Sequence, residues 1–234
     1  DVVVFGDFGF VHKSNNGGTS WQQAYTDIAH QHPAGAPTPT KQIYNSIGLE
    51  QTTCWQVVWM NNVILWASFS DIGGIRSTDW GASWSFNYTG NSVNSTYRVE
   101  KGSNGTLYAA TSGIHDMYQS TRLQDAQLDA NDPQGKLSYS TDNGLTWQLL
   151  HQFGHPVFWI TLDPNNANRA YASVIHYSGG TGVGGVYRCD NLSALGASTW
   201  TLTPAPPNTE KHPACLVVLN DGKLVATYSG RRTS

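Results

Sequence analysis

The sequence predicts an all-β protein built from repeated four-stranded antiparallel sheets. The first observation is a recurring pattern, Ser-x-Asp-x-Gly-x-x-Trp, which runs from Ser140 to Trp147 and again from Ser77 to Trp84. The second is its spacing, because the tryptophans that end the copies stand at positions 21, 84, 147 and 200. Regular self-similarity over a long period is typical of propellers and solenoids, in which each repeat buries its face on the next.

The first and fourth copies depart from this pattern. In the first, which runs from Ser14 to Trp21, Asn16 replaces the aspartate. In the fourth, we assign Arg188-Cys189-Asp190 to the start of the turn, and the stretch before Trp200 is longer than in the other copies. Asparagine and aspartate side chains both bond backbone N–H groups two residues on, so the first copy is compatible with the same turn, whereas the fourth copy is broken.

The pattern specifies a tight turn between two strands. The carboxylate accepts local N–H groups, the glycine supplies a positive φ, and the tryptophan covers the turn with a large apolar side chain. These residues resemble the Asp-box, the turn between the third and fourth strands of blades in sialidase-like and xyloglucanase-like β-propellers. The resemblance implies a β-propeller of four-stranded antiparallel blades, in which the turn is structural and lies on the face opposite the ligand site.

Alternating apolar residues and turn signals divide the chain into strands, labelled a to d in each repeat. The predicted strands are 2–5, 10–14 and 20–25 in the first repeat, 54–60, 63–69, 74–78 and 84–88 in the second, 97–101, 106–110, 136–141 and 146–150 in the third, 157–162, 170–175, 185–189 and 199–203 in the fourth, and 215–219 and 223–228 in the fifth. Closing residues 1–234 into a five-bladed ring would leave one strand redundant. We therefore predict a single propeller region that is a segment of a larger propeller with further blades.

The composition narrows the function classes. The chain has 24 glycines and only 12% charged residues, which fits many short strands joined by tight turns. A net charge of −3 gives no electrostatic reason to expect nucleic acid or an anionic membrane as a partner. No apolar run approaches about 18 residues, so no transmembrane helix is expected.

The cysteines and the glycosylation-type triplets indicate which cellular compartment and which cofactors to expect. Cys54, Cys189 and Cys215 permit one disulfide, and the sequence leaves open which pair would form it. No two of them lie at metal-ligand spacing, so neither a metal nor another cofactor is expected. Four Asn-x-Ser/Thr triplets weakly favour a secreted, extracellular protein.

Two aspartates are the candidate catalytic residues. Asp7 and Asp71 each follow a predicted b strand and stand just ahead of a glycine, in Gly6-Asp7-Phe8-Gly9 and Ser70-Asp71-Ile72-Gly73. In a four-stranded blade the b–c and d–a connections emerge on one face, so both carboxylates are expected on the face opposite the repeated turns. Glycine there lets the backbone turn sharply where the strand reaches the central opening.

These segments resemble the xyloglucanase-type Asp-box glycoside hydrolases. In that family one catalytic aspartate lies in a Thr-Asp-hydrophobic-Gly-Gly segment, which Asp71 matches with Ser70 in place of the threonine. The other lies in a Gly-Asp-x-x-Gly-Phe-x-His-like segment, which Asp7 approximates. The resemblance implies a glycoside hydrolase acting on a polysaccharide of the xyloglucan or β-glucan type. The family carries its two acids in two separate propeller domains, whereas here they lie in consecutive repeats.

Polar residues of the same predicted face are candidates for substrate binding. Five of the eight histidines fall in d–a connections, and aromatic rings exposed there would stack on sugar rings. Tyr177 and Trp80 are the aromatic residues most expected to be exposed. The candidate substrate-binding residues are His12, Arg76, Asp116, His155, His176 and Tyr177.

Two alternatives to this function stay open at the level of sequence. Asp7 and Asp71 would be structural if they capped their turns by bonding local N–H groups. The protein would then be a non-catalytic propeller that binds a glycan or a protein on the same face. A sialidase-like exo-glycosidase is the second alternative, but its usual Arg-Ile-Pro segment is absent, and Arg231-Arg232 could supply one of the three arginines that this family needs for a carboxylate.

Overall fold

The computed structural model describes residues 1–6, 11–33, 35–37, 43, 45, 53–114, 117, 134–176, 180–209 and 212–229. These residues form antiparallel β-sheets joined by tight turns and short 3-10 helices, so the all-β prediction is confirmed. Among them, no helix is both long and apolar enough to cross a membrane. The predicted site residues Asp7, Asp116 and Tyr177 and the pair Arg231-Arg232 lie outside the described part of the chain.

Two sheets have four strands each, paired in chain order as predicted for a blade. Sheet 3 consists of β7 (Ser95–Lys101), β8 (Leu107–Ser112), β9 (Lys136–Ser140) and β10 (Gln148–Gln152). Sheet 4 consists of β11 (Val157–Asp163), β12 (Asn166–Val174), β13 (Gly185–Cys189) and β14 (Trp200–Leu202). The third strand of sheet 4 has the predicted bounds, and the other strands shift by one to four residues.

The remaining repeats are smaller. Sheet 1 consists of β1 (Val3–Gly6), β2 (Val11–Ser14) and β3 (Gln22–Gln23), and sheet 2 of β4 (Cys54–Trp59), β5 (Leu65–Phe69) and β6 (Gly74–Ser77). Hairpin 5 consists of β15 (Pro213–Val218) and β16 (Leu224–Tyr228). Within the described residues these sheets do not close into a ring.

The predicted fourth strand of sheet 2, residues 84–88, is wrong. It is reduced to a single bridge between Arg76 and Ser85. Four residues later the chain has crossed to the next repeat, where Thr89 N donates to Leu145 O and Thr89 O accepts from Trp147 N, both at 2.9 Å. The segment therefore leaves β6 because its backbone bonds with the turn of sheet 3.

From sheet 2 onward, apolar side chains fill the spaces between successive sheets. Trp66 of sheet 2 meets Trp147 of sheet 3 with ring centroids 5.2 Å apart, and both are buried. Leu137 of sheet 3 packs in one cluster with Ile160 of sheet 4. The opposite face of sheet 4 packs on hairpin 5. Burial of each sheet on its neighbours is the stacking expected of propeller repeats.

From sheet 2 onward the first strand of each repeat also contacts its neighbours, since β7 lies between β4 and β11, and β11 contacts β15. A side chain links two of these strands. The amide of Gln56 on β4 accepts from Val99 N at 2.8 Å and donates to Val99 O at 3.1 Å on β7. Its amide group thus satisfies both backbone groups of one residue in the next sheet.

The repeated turns share one hydrogen-bond pattern. In the second turn, the Ser77 hydroxyl donates to Asp79 Oδ1 and accepts from Gly81 N, both at 2.8 Å. Asp79 Oδ1 also accepts from Ser83 N at 2.9 Å. The third turn repeats these bonds with Ser140, Asp142, Gly144 and Thr146, and the first repeats them with Ser14, Asn16, Gly18 and Ser20.

The fourth turn is shifted by one residue from the predicted assignment. Asn191, not Asp190, takes the acceptor position, because its Oδ1 accepts from Cys189 Sγ at 3.4 Å and from Thr199 N at 2.9 Å. The extra residues between Asn191 and Thr199 form a 3-10 helix, Leu192–Ala197. Asp190 instead forms an ion pair with Arg169 at 2.6 Å. Cysteine replaces serine at the start of this turn, and all three cysteines are free thiols.

Candidate functional site

The connections that follow second strands lie at the end of the sheets opposite the repeated turns. We call this end the loop face, and define it by Asp71 after β5, His176 after β12, and His155 and His212 just before β11 and β15. The topology thus places on one face the residue types that the sequence predicted there.

Asp71 occupies a left-handed backbone position, with φ of 69°. The N–H groups of its turn are bound by backbone carbonyls: Ile72 N donates to Ser70 O at 2.9 Å, and Gly74 N donates to Ile72 O at 2.7 Å. Gly73 N donates to Asn94 O at 2.9 Å. The N–H groups of this turn thus have backbone partners, whereas in the repeated turns such groups donate to the carboxylates of Asp79 and Asp142.

Asn94 anchors the Asp71 turn to the next sheet. Its side-chain oxygen accepts from Asp71 N at 3.3 Å and from the Ser95 hydroxyl at 2.8 Å. A bridge also joins Gly73 to Ser95, the first residue of β7. The backbone of Asp71 is therefore fixed relative to sheet 3, while the residue itself is exposed at the loop face.

An aromatic floor lies beneath the loop face. Trp55 contacts Tyr97 and Phe158, with ring centroids 5.3 and 5.6 Å apart, and Tyr97 lies 5.0 Å from Phe158. The Trp55 indole N–H donates to the hydroxyl of Ser70, the residue before Asp71, at 2.9 Å. The floor also contains Ile114, Met117 and Ile175. It connects the Asp71 turn on sheet 2 with the residue that precedes His176 on sheet 4.

Three histidines meet at the far side of this floor. The rings of His155 and His176 have centroids 5.3 Å apart, and His212 Nε2 lies 3.2 Å from the carbonyl oxygen of His176. His155 and His212 are fully buried. Glycines allow the neighbouring chain to pack this closely, because a Cβ on Gly180 would lie 2.6 Å from His155 Nδ1 and one on Gly184 would lie 2.4 Å from His176 Cα.

Burial sets the protonation of His155. Burial lowers its pKa below the usual value, and the neighbouring His176 lowers it further, while hydrogen bonding to the backbone of Gly182 and Thr181 acts in the opposite direction. The imidazole is therefore neutral near neutral pH. Within the described part of the chain, no three His, Cys, Asp or Glu side chains are grouped so that they could hold a metal ion.

The other predicted site residues are placed elsewhere. His12 lies on β2 of sheet 1 and stacks on Phe5 with ring centroids 5.0 Å apart. Arg76 is buried at the repeated-turn end, where its Nε donates to Asn143 O at 2.9 Å. Burial lowers the pKa of Arg76, and the nearby Asp142 carboxylate partly offsets this effect. The structure therefore brings His155 and His176 together, and it directs Arg76 into packing between two repeats.

The sequence did not predict the aromatic floor, nor a cavity that lies away from the loop face. The floor strands do carry alternating aromatic residues, but that signal does not separate core rings from rings that support a site. The cavity, of about 500 Å³, lies among β7, β11 and hairpin 5. In it the Arg98 guanidinium covers the Trp159 ring at 4.6 Å and pairs with Glu100.

Comparison with known proteins agrees with this architecture. The chain is 25% identical to a sialidase from Clostridium perfringens, in an alignment that covers 71% of this chain and 50% of the relative. An ancestral GH74 enzyme superposes over 99% of this chain and 27% of its own, with a TM-score of 0.56 at 18% identity. The fold is of the β-propeller type. No family model matches the chain.

A gluconolactonase from Xanthomonas campestris is also similar, with a TM-score of 0.50 at 13% identity over 70% of this chain and 52% of its own. At such low identity these structural likenesses concern the fold alone. The chain spans half the length of the sialidase and about a quarter of the GH74 enzyme. The related proteins therefore contain much that this chain does not cover.

Proposed function

We propose that this chain forms part of a secreted glycoside hydrolase that acts on polysaccharide of the xyloglucan or β-glucan type. The repeated turns are interpreted as Asp-boxes, and Asp7 and Asp71 as the two acid/base residues. The sialidase relative and the likeness to a GH74 enzyme support a glycosidase-like propeller. Further blades would complete the propeller.

The observation that carries this proposal is the setting of Asp71. Its turn is held by backbone carbonyls and by Asn94, so the carboxylate is not needed to accept the N–H groups of Ile72, Gly73 or Gly74. It is exposed beside the aromatic floor and held in a left-handed conformation. Non-glycine residues in such conformations concentrate at functional sites, because the surrounding structure must hold them there.

The chemistry would be that of a carboxyl pair. One protonated carboxyl group donates its proton to the leaving glycosidic oxygen, while the other activates a water molecule or attacks the sugar directly. A separation of about 5–5.5 Å would give retention of configuration and about 6.5–9.5 Å inversion. Asp7 would supply the second group, and the partly exposed His176 would bind a sugar hydroxyl. His155, predicted as a second substrate-binding histidine, is fully buried and would instead support the His176 ring.

A sialidase-like activity is the second candidate, favoured by the sequence relative. Such an enzyme needs arginines for the carboxylate of its substrate. Every arginine in the described ranges already bonds a protein acceptor: Arg76 bonds Asn143 O, Arg98 bonds Glu100, and Arg169 and Arg188 bond Asp190. This arrangement favours the hydrolysis of neutral polysaccharide.

The test is reducing-sugar release from xyloglucan, mixed-linkage β-glucan and a sialylated glycan by wild type, Asp71→Asn and Asp7→Asn. We expect either substitution to abolish release from a β-glucan type polymer while the circular dichroism spectrum is unchanged. Asp79→Asn is the matched control, since asparagine already serves that position in the first turn. If the wild type cleaves none of the polymers but both variants bind them, the protein is a binding module. Cleavage of the sialylated glycan alone would favour the second candidate.

A further inference from the structure

Four asparagines of the chain stand in Asn-x-Ser/Thr triplets, the acceptor pattern for N-linked oligosaccharides in secreted proteins. They are Asn87, Asn94, Asn104 and Asn191. The triplet alone does not decide whether a glycan is carried, because a bulky oligosaccharide must also be accommodated at the surface of the folded protein. All four asparagines lie within the described ranges, and their surroundings separate them into two groups.

Asn104 stands at the tip of the tight turn between β7 and β8. The residue is exposed, and a Cβ added at its neighbour Gly105 would have no atom within 4 Å, so the space around the tip is open. Asn104 Oδ1 accepts from Thr106 N at 3.0 Å, while its Nδ2 has no protein acceptor among the described residues. Since a glycan replaces one hydrogen of Nδ2 and leaves Oδ1 unchanged, the turn keeps this bond when it is modified.

Asn87 is exposed on the segment that leaves sheet 2 for sheet 3. The backbone is fixed on both sides of it, by the bridge from Ser85 to β6 and by the bonds from Thr89 to the third repeated turn. Its backbone N–H donates to Ser85 Oγ at 3.3 Å, but its side-chain amide has no hydrogen-bond partner in the part of the chain that the structure describes. A fixed segment thus presents this amide to solvent without using it in the fold.

The other two asparagines are partly buried, and the fold uses their amide groups. Asn94 Oδ1 accepts from Asp71 N at 3.3 Å and from the Ser95 hydroxyl at 2.8 Å. Asn191 Oδ1 accepts from Thr199 N at 2.9 Å and from the Thr199 hydroxyl at 3.2 Å. Because Oδ1 and Nδ2 belong to one planar amide, fixing the oxygen also holds the nitrogen against the protein. A sugar on either nitrogen would displace the segments that these bonds join.

We propose that Asn87 and Asn104 are acceptor sites for N-linked oligosaccharides, and that Asn94 and Asn191 stay unmodified in the folded protein. Transfer forms a bond between Nδ2 and the anomeric carbon of an oligosaccharide carried on a lipid pyrophosphate. The bond from that carbon to the pyrophosphate oxygen breaks, the lipid pyrophosphate leaves with the electron pair, and Nδ2 loses one proton. The proposal rests on secretion, which is one part of the proposed function, and is independent of hydrolysis.

Burial of the hydroxyl residue sets the order of events at Asn104. Thr106, the third residue of the triplet, is only 6% exposed in the folded protein. An enzyme that reads its hydroxyl group therefore has to act before β8 pairs with β7, and the fold then decides whether the glycan can remain. A chain modified at Asn94 or Asn191 loses the side-chain bonds of that residue, so we expect it to be retained rather than secreted.

The two proposed sites leave the loop face open. The turn between β7 and β8 lies at the repeated-turn end of sheet 3, and two residues after Asn87 the chain bonds the third repeated turn. A glycan on Asn94, by contrast, would stand beside the backbone of Asp71. The oligosaccharides therefore lie away from the candidate site.

The test is glycopeptide mapping of the full-length protein secreted from insect cells. Removing the glycans with a peptide-N-glycosidase in heavy-oxygen water converts each modified asparagine to a labelled aspartate, which mass spectrometry locates. We expect the label at positions 87 and 104 and intact asparagine at positions 94 and 191. Asn87→Gln and Asn104→Asp should each lower the mass of the secreted protein by one oligosaccharide. Aspartate at position 104 keeps the acceptor for Thr106 N, so that variant retains the turn.

Two controls separate glycosylation from spontaneous deamidation, to which asparagine before glycine is prone. Incubation in heavy-oxygen water without the enzyme should label neither position, and Thr89→Ala, which keeps Asn87 but removes its triplet, should abolish the label there. The proposal is wrong if position 87 or 104 is unlabelled in the secreted protein, or if position 94 or 191 is labelled. The mapping requires no enzymatic activity of the protein, so failure of the hydrolase proposal would leave its outcome unchanged.

Discussion

Replacing Asp142 by alanine should destabilise the third repeated turn and with it the contact between sheets 2 and 3. The carboxylate accepts from the Ser140 hydroxyl at 2.8 Å, from Thr146 N at 2.9 Å and from the Thr146 hydroxyl at 2.6 Å. Alanine removes all three acceptors. The turn also supplies Leu145 and Trp147, whose backbone groups bond Thr89, so its loss affects the neighbouring segment.

The size of the effect follows from how exposed these groups are. A typical hydrogen bond contributes a net 0.5–1.5 kcal/mol, but the exposed Thr146 groups can bond water once the carboxylate is gone. We therefore expect a loss of about 2 kcal/mol in the free energy of unfolding. For a chain of this size that corresponds to a fall of about 4–8 °C in melting temperature. Urea unfolding followed by tryptophan fluorescence would measure it.

Asp142→Asn is the control, because Asn16 makes the corresponding bonds in the first turn. We expect it to lose no more than about half as much stability, since the amide oxygen still accepts two of the three bonds. If asparagine is as damaging as alanine, the negative charge rather than the bond pattern stabilises the turn. An alanine variant within about 0.5 kcal/mol of wild type, a typical surface change, would refute the reasoning altogether.

The negative charge of Asp142 also makes its contribution to stability depend on pH. Burial acts to raise the pKa of Asp142, but the bonds from Thr146 and Ser140 outweigh it and hold the pKa below the usual 3.8. A depressed carboxyl pKa contributes stability above the unfolded value and loses it as the pH falls through the folded one. The stability difference between wild type and Asp142→Ala should therefore be constant near neutrality and narrow as the pH falls below 3.8.

Two further predictions concern the core and the loop face. Gly90→Ala should strongly destabilise the protein, because the φ of Gly90 is +83° and the added Cβ would overlap the carbonyl oxygen of Trp147. Gly105 is the matched control, since its φ is +84° and the space around it is open. Gly105→Ala should lower the free energy of unfolding, measured by urea titration, by only about 1–2 kcal/mol. Equal losses of stability in the two variants would show that the structure around residue 90 adjusts to the added Cβ at no cost. Burial lowers the pKa of His155 in the folded protein below its usual value of 6.5. As the pH falls below 6.5, the unfolded chain therefore binds a proton at this histidine more readily than the folded protein does, and the protein should become less stable. His155→Asn should reduce the difference between the urea midpoints at neutral and acidic pH. If the difference is unchanged, other titrating groups cause the pH dependence.

Much of the fold could be predicted because the repeated turn marks the end of each third strand. Counting strands outward from this turn predicted both ends of β13 correctly and predicted both four-stranded sheets. The errors occur where a substitution changes the role of a position. In the fourth turn cysteine replaces serine, and an inserted 3-10 helix separates the two halves, so the acceptor is Asn191 although Asp190 looks closer to the pattern.

The site was less predictable for a physical reason. Topology correctly placed His155, His176 and His212 at one end of the sheets, because that requires only the order of strands. The order of strands does not predict which group a long side chain will contact. Arg76 was expected on the ligand face, yet its guanidinium is buried against the next repeated turn. Its strand position was predicted, but the direction that its side chain takes depends on packing between sheets.

The link between Gln56 and Val99 has a consequence for association between molecules. β7 is the outer strand of its sheet, and among the described residues its outer side has no strand partner beyond the bridge from Ser95 to Gly73. An unpaired strand edge is a template for another chain, and proteins protect such edges to avoid aggregation. The Gln56 amide occupies both groups of Val99 on that side. At this one residue of β7 a side chain thus supplies the two hydrogen bonds that a further strand would make, so Val99 offers no free backbone group for pairing with another molecule.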